Sequence, residues 1–122
     1  MVLADTSIWI DHLSSPEPEL SRLLNIRTVA MHPFIVGELS LGSLRNRSKI
    51  LADLDLLPHV RTADTGEVRH MIEQHGFYSR GIGWIDANLL ATVAINANLK
   101  LWSRDKPLRR LAEDLGLHVT FP

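Results

Sequence analysis

A short apolar run, Val2-Leu3-Ala4, stops on Asp5, and two hydroxyl residues, Thr6 and Ser7, follow at once. The run is long enough for a buried strand, so the chain opens with a strand that ends in a carboxylate. In open parallel sheets ligands bind just beyond the carboxyl ends of the strands, and an acid there points into that crevice. The same Asp-Thr-Ser trio is also good helix-cap and turn chemistry, because each side chain can accept from nearby backbone N–H groups. These residues alone leave Asp5 between a structural and a chemical role.

The rest of the chain alternates short apolar runs with amphipathic stretches. Residues 28–31, 59–63, 99–102 and 118–121 read as further strands. After the Ser14-Ser-Pro-Glu-Pro-Glu19 loop, Leu20, Leu23 and Leu24 share one helix face. Pro33 opens a helix to Leu44, and Ile50, Leu51, Leu54 and Leu57 form another, from Arg47 to Leu57, that Pro58 closes. Gly37 and Gly42 in the first of these each cost about 1 kcal/mol relative to Ala, which predicts close approach of another element. Asp64-Thr-Gly-Glu67 has capping-box spacing and begins a helix that Gly76 stops. The most apolar helix covers 84–96, with Asp86 in its first turn, where the helix dipole favours an acid. Pro107 starts a last helix bearing Leu108, Leu111, Ala112 and Leu115, and Gly116 ends it. Strand and helix in alternation predict an α/β fold, a three-layer α/β/α sandwich around a mainly parallel central sheet. At 122 residues and 45% hydrophobic content, residues 1–122 are expected to form a single domain.

Composition narrows the chemistry. The absence of cysteine removes disulfides, thiolate zinc sites and a cysteine nucleophile, and suits a reducing cytoplasm. His70 and His75 lie five apart on different helix faces and the other histidines are scattered, which disfavours a histidine metal site. Gly81-Ile-Gly83 lacks the third glycine and preceding strand of a dinucleotide fingerprint. No stretch of about 18 uninterrupted apolar residues occurs, so a soluble, unprocessed protein with no membrane partner is expected. A net charge of -1 gives no global footprint for a polyanion. Local patches remain: Arg45, Arg47 and Lys49, and the five cations from Lys100 to Arg110 that face only Asp105.

Asp5 and Asp105 follow two of the expected strands and would share one edge of the sheet. Asp86 and Glu38 reach that edge if their helices tip toward it. Four converging carboxylates without matching cations repel one another, and proteins keep such an arrangement mainly to hold divalent metal. Mg²⁺, or Mn²⁺ in its place, suits oxygen ligands of this kind.

Over essentially its whole length the chain resembles the PIN-domain ribonucleases, and among them the VapC-type toxins of VapBC toxin–antitoxin systems. The resemblance rests on Val2-Leu-Ala-Asp-Thr-Ser-Ile-Trp-Ile-Asp11, on Gly37-Glu38, on Gly83-Trp-Ile-Asp-Ala-Asn-Leu-Leu-Ala91 and on Leu101-Trp-Ser-Arg-Asp105 with a basic helix after it. It implies a PIN-like fold and a catalytic, metal-binding set of Asp5, Glu38, Asp86 and Asp105. Ser7 would orient the ligands, and Ser103 stands where the family usually has Thr, keeping the hydroxyl. The implied reaction is Mg²⁺-dependent hydrolysis of an RNA phosphodiester, with Arg104, Lys106, Arg109 and Arg110 holding flanking phosphates. A cognate VapB-type antitoxin and a homodimer, with Trp9, Ile10, Leu13, Leu41 and Leu44 as its apolar patch, are further implications. The alternatives are a housekeeping RNA-processing PIN nuclease and a non-enzymatic cation-binding partner module. A phosphatase that forms an aspartyl-phosphate also begins with a strand ending in Asp, but it wants a second Asp where this chain has Ser7.

Overall fold

The computed structural model describes residues 1–121. Its elements run β1 (Val2–Ala4), α1 (Thr6–Ser14), α2 (Pro18–Asn25), β2 (Val29–Ala30), α3 (Pro33–Ser40), α4 (Arg47–Asp55), α5 (Thr65–His75), α6 (Trp84–Ile95), β3 (Lys100–Trp102) and α7 (Lys106–Asp114). The three strands form a parallel sheet in the order β2-β1-β3, so the strand that begins the chain lies at its centre. Val2, Leu3 and Ala4 are all buried although their side chains alternate between faces. Both faces of β1 are therefore covered by helices, which is the sandwich expected of a parallel sheet. Leu3, Ile8, Leu20, Ile35, Leu89, Leu90, Leu101, Leu108 and Leu111 are completely enclosed and carry the core across from helix to sheet to helix.

The sheet is narrower than the apolar runs suggest. At 59–63 only a single bridge, Met31 with His59, is formed. The next backbone groups are taken by α6: Asn96 Nδ2 donates to the Arg61 carbonyl at 2.8 Å, and Ala63 N–H donates to Thr92 Oγ1 at 3.0 Å. Side-chain partners have replaced a strand ladder there. At 118–121 the only bridge is Leu101 with His118, because the next ladder donor, Ser103 N–H, is turned onto the His118 ring at 3.0 Å.

The helix opened by Pro33 also stops early, at Ser40 rather than Leu44. Leu41 and Gly42 N–H tighten onto the carbonyls of Glu38 and Leu39, and Arg47 caps the carbonyls of Ser40 and Gly42 from beyond the turn. The close approach expected at Gly37 is absent: a Cβ built there meets nothing within 4 Å. Gly42 lies outside the helix. Trp9 is core rather than surface, at 2% exposure, whereas Ile10 and Leu41 stay exposed and Leu13 and Leu44 are half-buried.

The capping box of α5 is formed as expected, with Asp64 accepting from Glu67 N–H at 2.7 Å and Glu67 accepting from Asp64 N–H at 3.0 Å. The Asp64 backbone bond, with the Arg61 guanidinium beside it, holds the Glu67 carboxyl below its ordinary range. Asp64→Ala should lower stability by about 1 kcal/mol, the usual worth of a cap, in urea titrations. It should leave any chemistry at the carboxyl edge of the sheet untouched.

Candidate active site

Parallel pairing puts the ends of β1 and β3 side by side. Ala4 pairs with Trp102, and Asp5 N–H donates to the Trp102 carbonyl at 3.0 Å, so Asp5 and Ser103 leave the sheet together. Asp5 is buried and caps α1. Its Oδ1 accepts from Ile8 N–H at 3.3 Å, capping α1, and from Ser7 Oγ at 2.8 Å. Its Oδ2 accepts from Ser103 Oγ at 2.5 Å. Both oxygens are thus held, and the two readings of Asp5 left open by the sequence are compatible.

Ser103 also accepts, at 3.1 Å, from the N–H of Asp105. Asp105 in turn caps α7 by accepting from Leu108 N–H at 3.2 Å, which leaves its exposed carboxylate at the same edge as Asp5. Glu38, exposed on the last turn of α3, accepts from Thr6 Oγ1 at 2.7 Å. Sequence reasoning did not reveal Thr6 as a contributor. Its only signal is the hydroxyl adjacent to Asp5, and the partner lies 32 residues away.

Asp86 sits half-buried in the first turn of α6. Burial pushes its carboxyl above the ordinary range; a hydrogen bond from the Gly83 backbone opposes this, and the charges of Asp105, Asp5 and Glu38 add to the rise. That repulsion places Asp105, Asp5 and Glu38 each within electrostatic reach of Asp86. Among the described residues, no ion pair involves any of the four, although Arg and Lys pair with other acids across the surface. Nor do three acids or histidines among the described residues converge closely enough to enclose an ion. The donor set still fits a hard divalent cation. It offers carboxylate oxygen alone, and Mg²⁺ keeps several waters and needs only one or two carboxylates rather than a closed cage.

Of the cations expected to hold phosphates, Lys106, Arg109 and Arg110 line one cavity of about 550 Å³ with Ser79 and Arg80. Arg80 carries no such signal in the sequence; it arrives because Gly81, at φ +80, lets the loop pack against Pro107. Arg109 is shared with Glu113 and Arg80 with Asp114, both at the surface. Arg104 goes elsewhere. Its guanidinium spans Asp11 at 3.1 Å and Glu17 at 2.6 Å and lies over the Trp102 ring at 5.6 Å. The two carboxylates raise its pKa further, with Glu17 the largest cause, and join the β3–α7 turn to α1 and α2. A second groove, of about 560 Å³, runs between α1, α3 and α4, lined by Ile10, Leu13, Leu39, Leu44 and Ile50, with Glu38 on its wall.

The sequence profile of the PIN domain matches residues 2–114. Ribonuclease VapC32 of Mycobacterium tuberculosis, from strain CDC 1551 / Oshkosh and from strain ATCC 25618 / H37Rv, is 36% identical to this chain over 117 residues in each case. The match covers 96% of this chain and 94% of each relative.

Proposed function

The chain belongs to the PIN-domain family, and from that premise we propose that it is a VapC-type endoribonuclease toxin that hydrolyses RNA phosphodiester bonds with the help of a divalent metal. One observation carries the reading. Asp86 is half-buried within electrostatic reach of Asp105, Asp5 and Glu38, and no cation among the described residues pairs with any of the four. Asp5, Glu38 and Asp86 would hold Mg²⁺ or Mn²⁺, with Asp105 as a further ligand or as the residue that holds the attacking water. The metal would supply a Lewis acid that eases loss of a proton from water and offsets charge on the phosphodiester.

The chain's own residues prepare that site. Ser7 and Ser103 fix the Asp5 carboxylate, and Thr6 fixes Glu38, so the acids do not have to reorganise when substrate arrives. The helix dipoles at the starts of α1, α6 and α7 temper the mutual repulsion of Asp5, Asp86 and Asp105. Purified protein incubated with mixed RNA should release fragments with Mg²⁺ or Mn²⁺ and none with EDTA. Intact RNA under both conditions would leave the cation-binding partner module as the better reading.

The basic cavity supports phosphate binding beside this site. Neutralising Lys106 or Arg110 should weaken RNA binding alike for all sequences and make log K less steeply dependent on log salt, by about 0.7 for each single-strand phosphate left without its cation. Arg104→Gln should change the slope less, because Asp11 and Glu17 already neutralise that guanidinium.

The apolar groove supports a partner protein. A VapB-type antitoxin segment seated between α1, α3 and α4 would cover Ile10 and Leu13 and bring an arginine within reach of Glu38, competing with metal for the carboxylates. A homodimer through the exposed Ile10 and Leu41 is proposed alongside it, and light scattering without antitoxin tests that state. A small gene beside this one that encodes a DNA-binding antitoxin would separate the toxin from a housekeeping RNA-processing enzyme. No described helix is long and apolar enough to cross a membrane.

A further inference from the structure

The C-terminal segment after α7 returns alongside β3, where Leu101 N–H donates to the Leu117 carbonyl and Val119 N–H to the Leu101 carbonyl, each at 2.8 Å. Phe121 anchors it edge-on to Trp102, with ring centroids 4.8 Å apart. This docking carries His118 to the turn that leaves β3. Its Nε2 accepts from Ser103 N–H at 3.0 Å, so the proton of the neutral ring belongs on Nδ1, which lies 2.8 Å from the Val119 carbonyl it can donate to. Nε2 also lies 3.1 Å from the Ser103 carbonyl, but only the Nδ1–H tautomer lets the ring accept from Ser103 N–H and donate to the Val119 carbonyl together.

The consequence passes through one residue. Ser103 is fully buried. Its hydroxyl accepts from Asp105 N–H, so its own hydrogen is left for Asp5 Oδ2. A shift of the Ser103 backbone therefore disturbs two acids at once: the orientation of Asp5 and the start of the turn that presents Asp105.

We propose that His118 is a positioning residue for the metal-binding carboxylates, acting through the Ser103 backbone on Asp5 and Asp105, and that the C-terminal segment is thereby part of the active-site architecture. The inference rests on the metal-dependent nuclease reading. It assigns a role in the site to a residue lying 113 positions from Asp5 whose ring bonds only to the backbone of Ser103 and Val119 and to none of the four acids. Partners in the second layer around a metal site set ligand orientation, and removing one costs about 10- to 100-fold in metal affinity or activity.

The test compares His118→Leu, which removes both ring nitrogens, with His118→Gln, whose amide oxygen can occupy the Nε2 position and accept from Ser103. Mn²⁺ affinity of the purified full chain, measured by calorimetry without RNA, should fall about 10- to 100-fold in His118→Leu. His118→Gln should restore most of it. KM for RNA should stay at the wild-type value at saturating metal. In metal-free protein, the Ser103 and Asp105 amides should exchange faster with solvent in His118→Leu and not in His118→Gln. A folded His118→Leu protein with wild-type Mn²⁺ affinity overturns the proposal. Should that variant fail to fold, His118→Asn, whose shorter side chain does not reach Ser103 N–H, must weaken Mn²⁺ binding relative to His118→Gln on the same scale; equal affinity of these two overturns the proposal too. A wild-type protein that cuts no RNA with any divalent metal would instead sink the nuclease reading. Amide exchange at Ser103 and Asp105 would still decide whether His118 holds this turn.

Discussion

Asp86→Asn should abolish divalent-metal-dependent RNA cleavage while raising the melting temperature of the metal-free protein. The two effects have one cause. The Asp86 carboxylate is desolvated and faces Asp105, Asp5 and Glu38, so its charge is costly until a cation arrives. Neutralising it removes the cost and the ligand together. Activity should drop by more than about 100-fold, the loss reached when a mere outer partner of a metal ligand is removed.

The pH dependence of the metal-free protein should agree. A carboxyl whose folded pKa is raised takes up protons in the folded state before the unfolded one, so its destabilising effect is complete above the folded pKa and disappears below the unfolded one. Asp86→Asn should therefore stabilise most at neutral pH and lose that advantage as pH falls through the carboxylate range. Asp5→Asn should match it in activity but not in stability. An asparagine keeps one oxygen for the Ile8 cap, yet it turns an amide NH₂ toward Ser103, whose hydroxyl must then reorient. Thermal melts of both variants, with and without Mn²⁺, check this. Equal stabilisation by the two substitutions, or wild-type cleavage by either, would dismantle the assignment.

The second large effect lies away from the acids. His32 is 2% exposed at the start of α3, where its Nδ1 accepts from Phe34 N–H at 2.9 Å and so caps the helix in the neutral form. No group among the described residues pairs with its buried Nε2. Burial, with a smaller contribution from the charge of His59, holds its pKa down to about 4. The unfolded chain, near 6.5, binds the proton more readily, so the stability contributed by neutral His32 is fully present above about pH 6.5 and is lost as pH falls toward 4. The loss reaches about 3 kcal/mol by pH 4. His32→Asn keeps a capping oxygen and removes the titration. Urea unfolding at pH 7 and pH 4 should show the gap between wild type and variant shifting by about that amount in favour of the variant on acidification. A constant gap would mean that His32 does not resist protonation in the fold.

Much of this molecule is local enough to read in one dimension. The strand that ends in Asp5, the first-turn position of Asp86 and the capping box of Asp64 and Glu67 depend on residues within one or two turns of each other. Short-range sterics and hydrogen bonding decide such features, so the order of residues is sufficient. Asp5 and Asp105 cap α1 and α7, Asp86 stands in the first turn of α6 and Glu38 in the last turn of α3, positions that near neighbours dictate in the same way.

What needed the tertiary structure is whatever depends on which distant segments meet. Arg104 and Lys106 look alike in sequence, but packing gives Arg104 the carboxylates of Asp11 and Glu17 and leaves Lys106 on the basic cavity. Trp9 and Ile10 are neighbours, and the docking of α1 buries the first and exposes the second. The runs at 59–63 and 118–121 have strand-like composition, yet Thr92, Asn96 and the His118 ring claim groups that a ladder would have used. Thr6 with Glu38 and Ser103 with Asp5 meet across 32 and 98 residues. Local spacing determined that Asp5 follows β1 and Asp105 follows β3, each as the cap of the next helix. Only the closing of the chain, by burial of a core with no sequence period of its own, decided which partners hold them there.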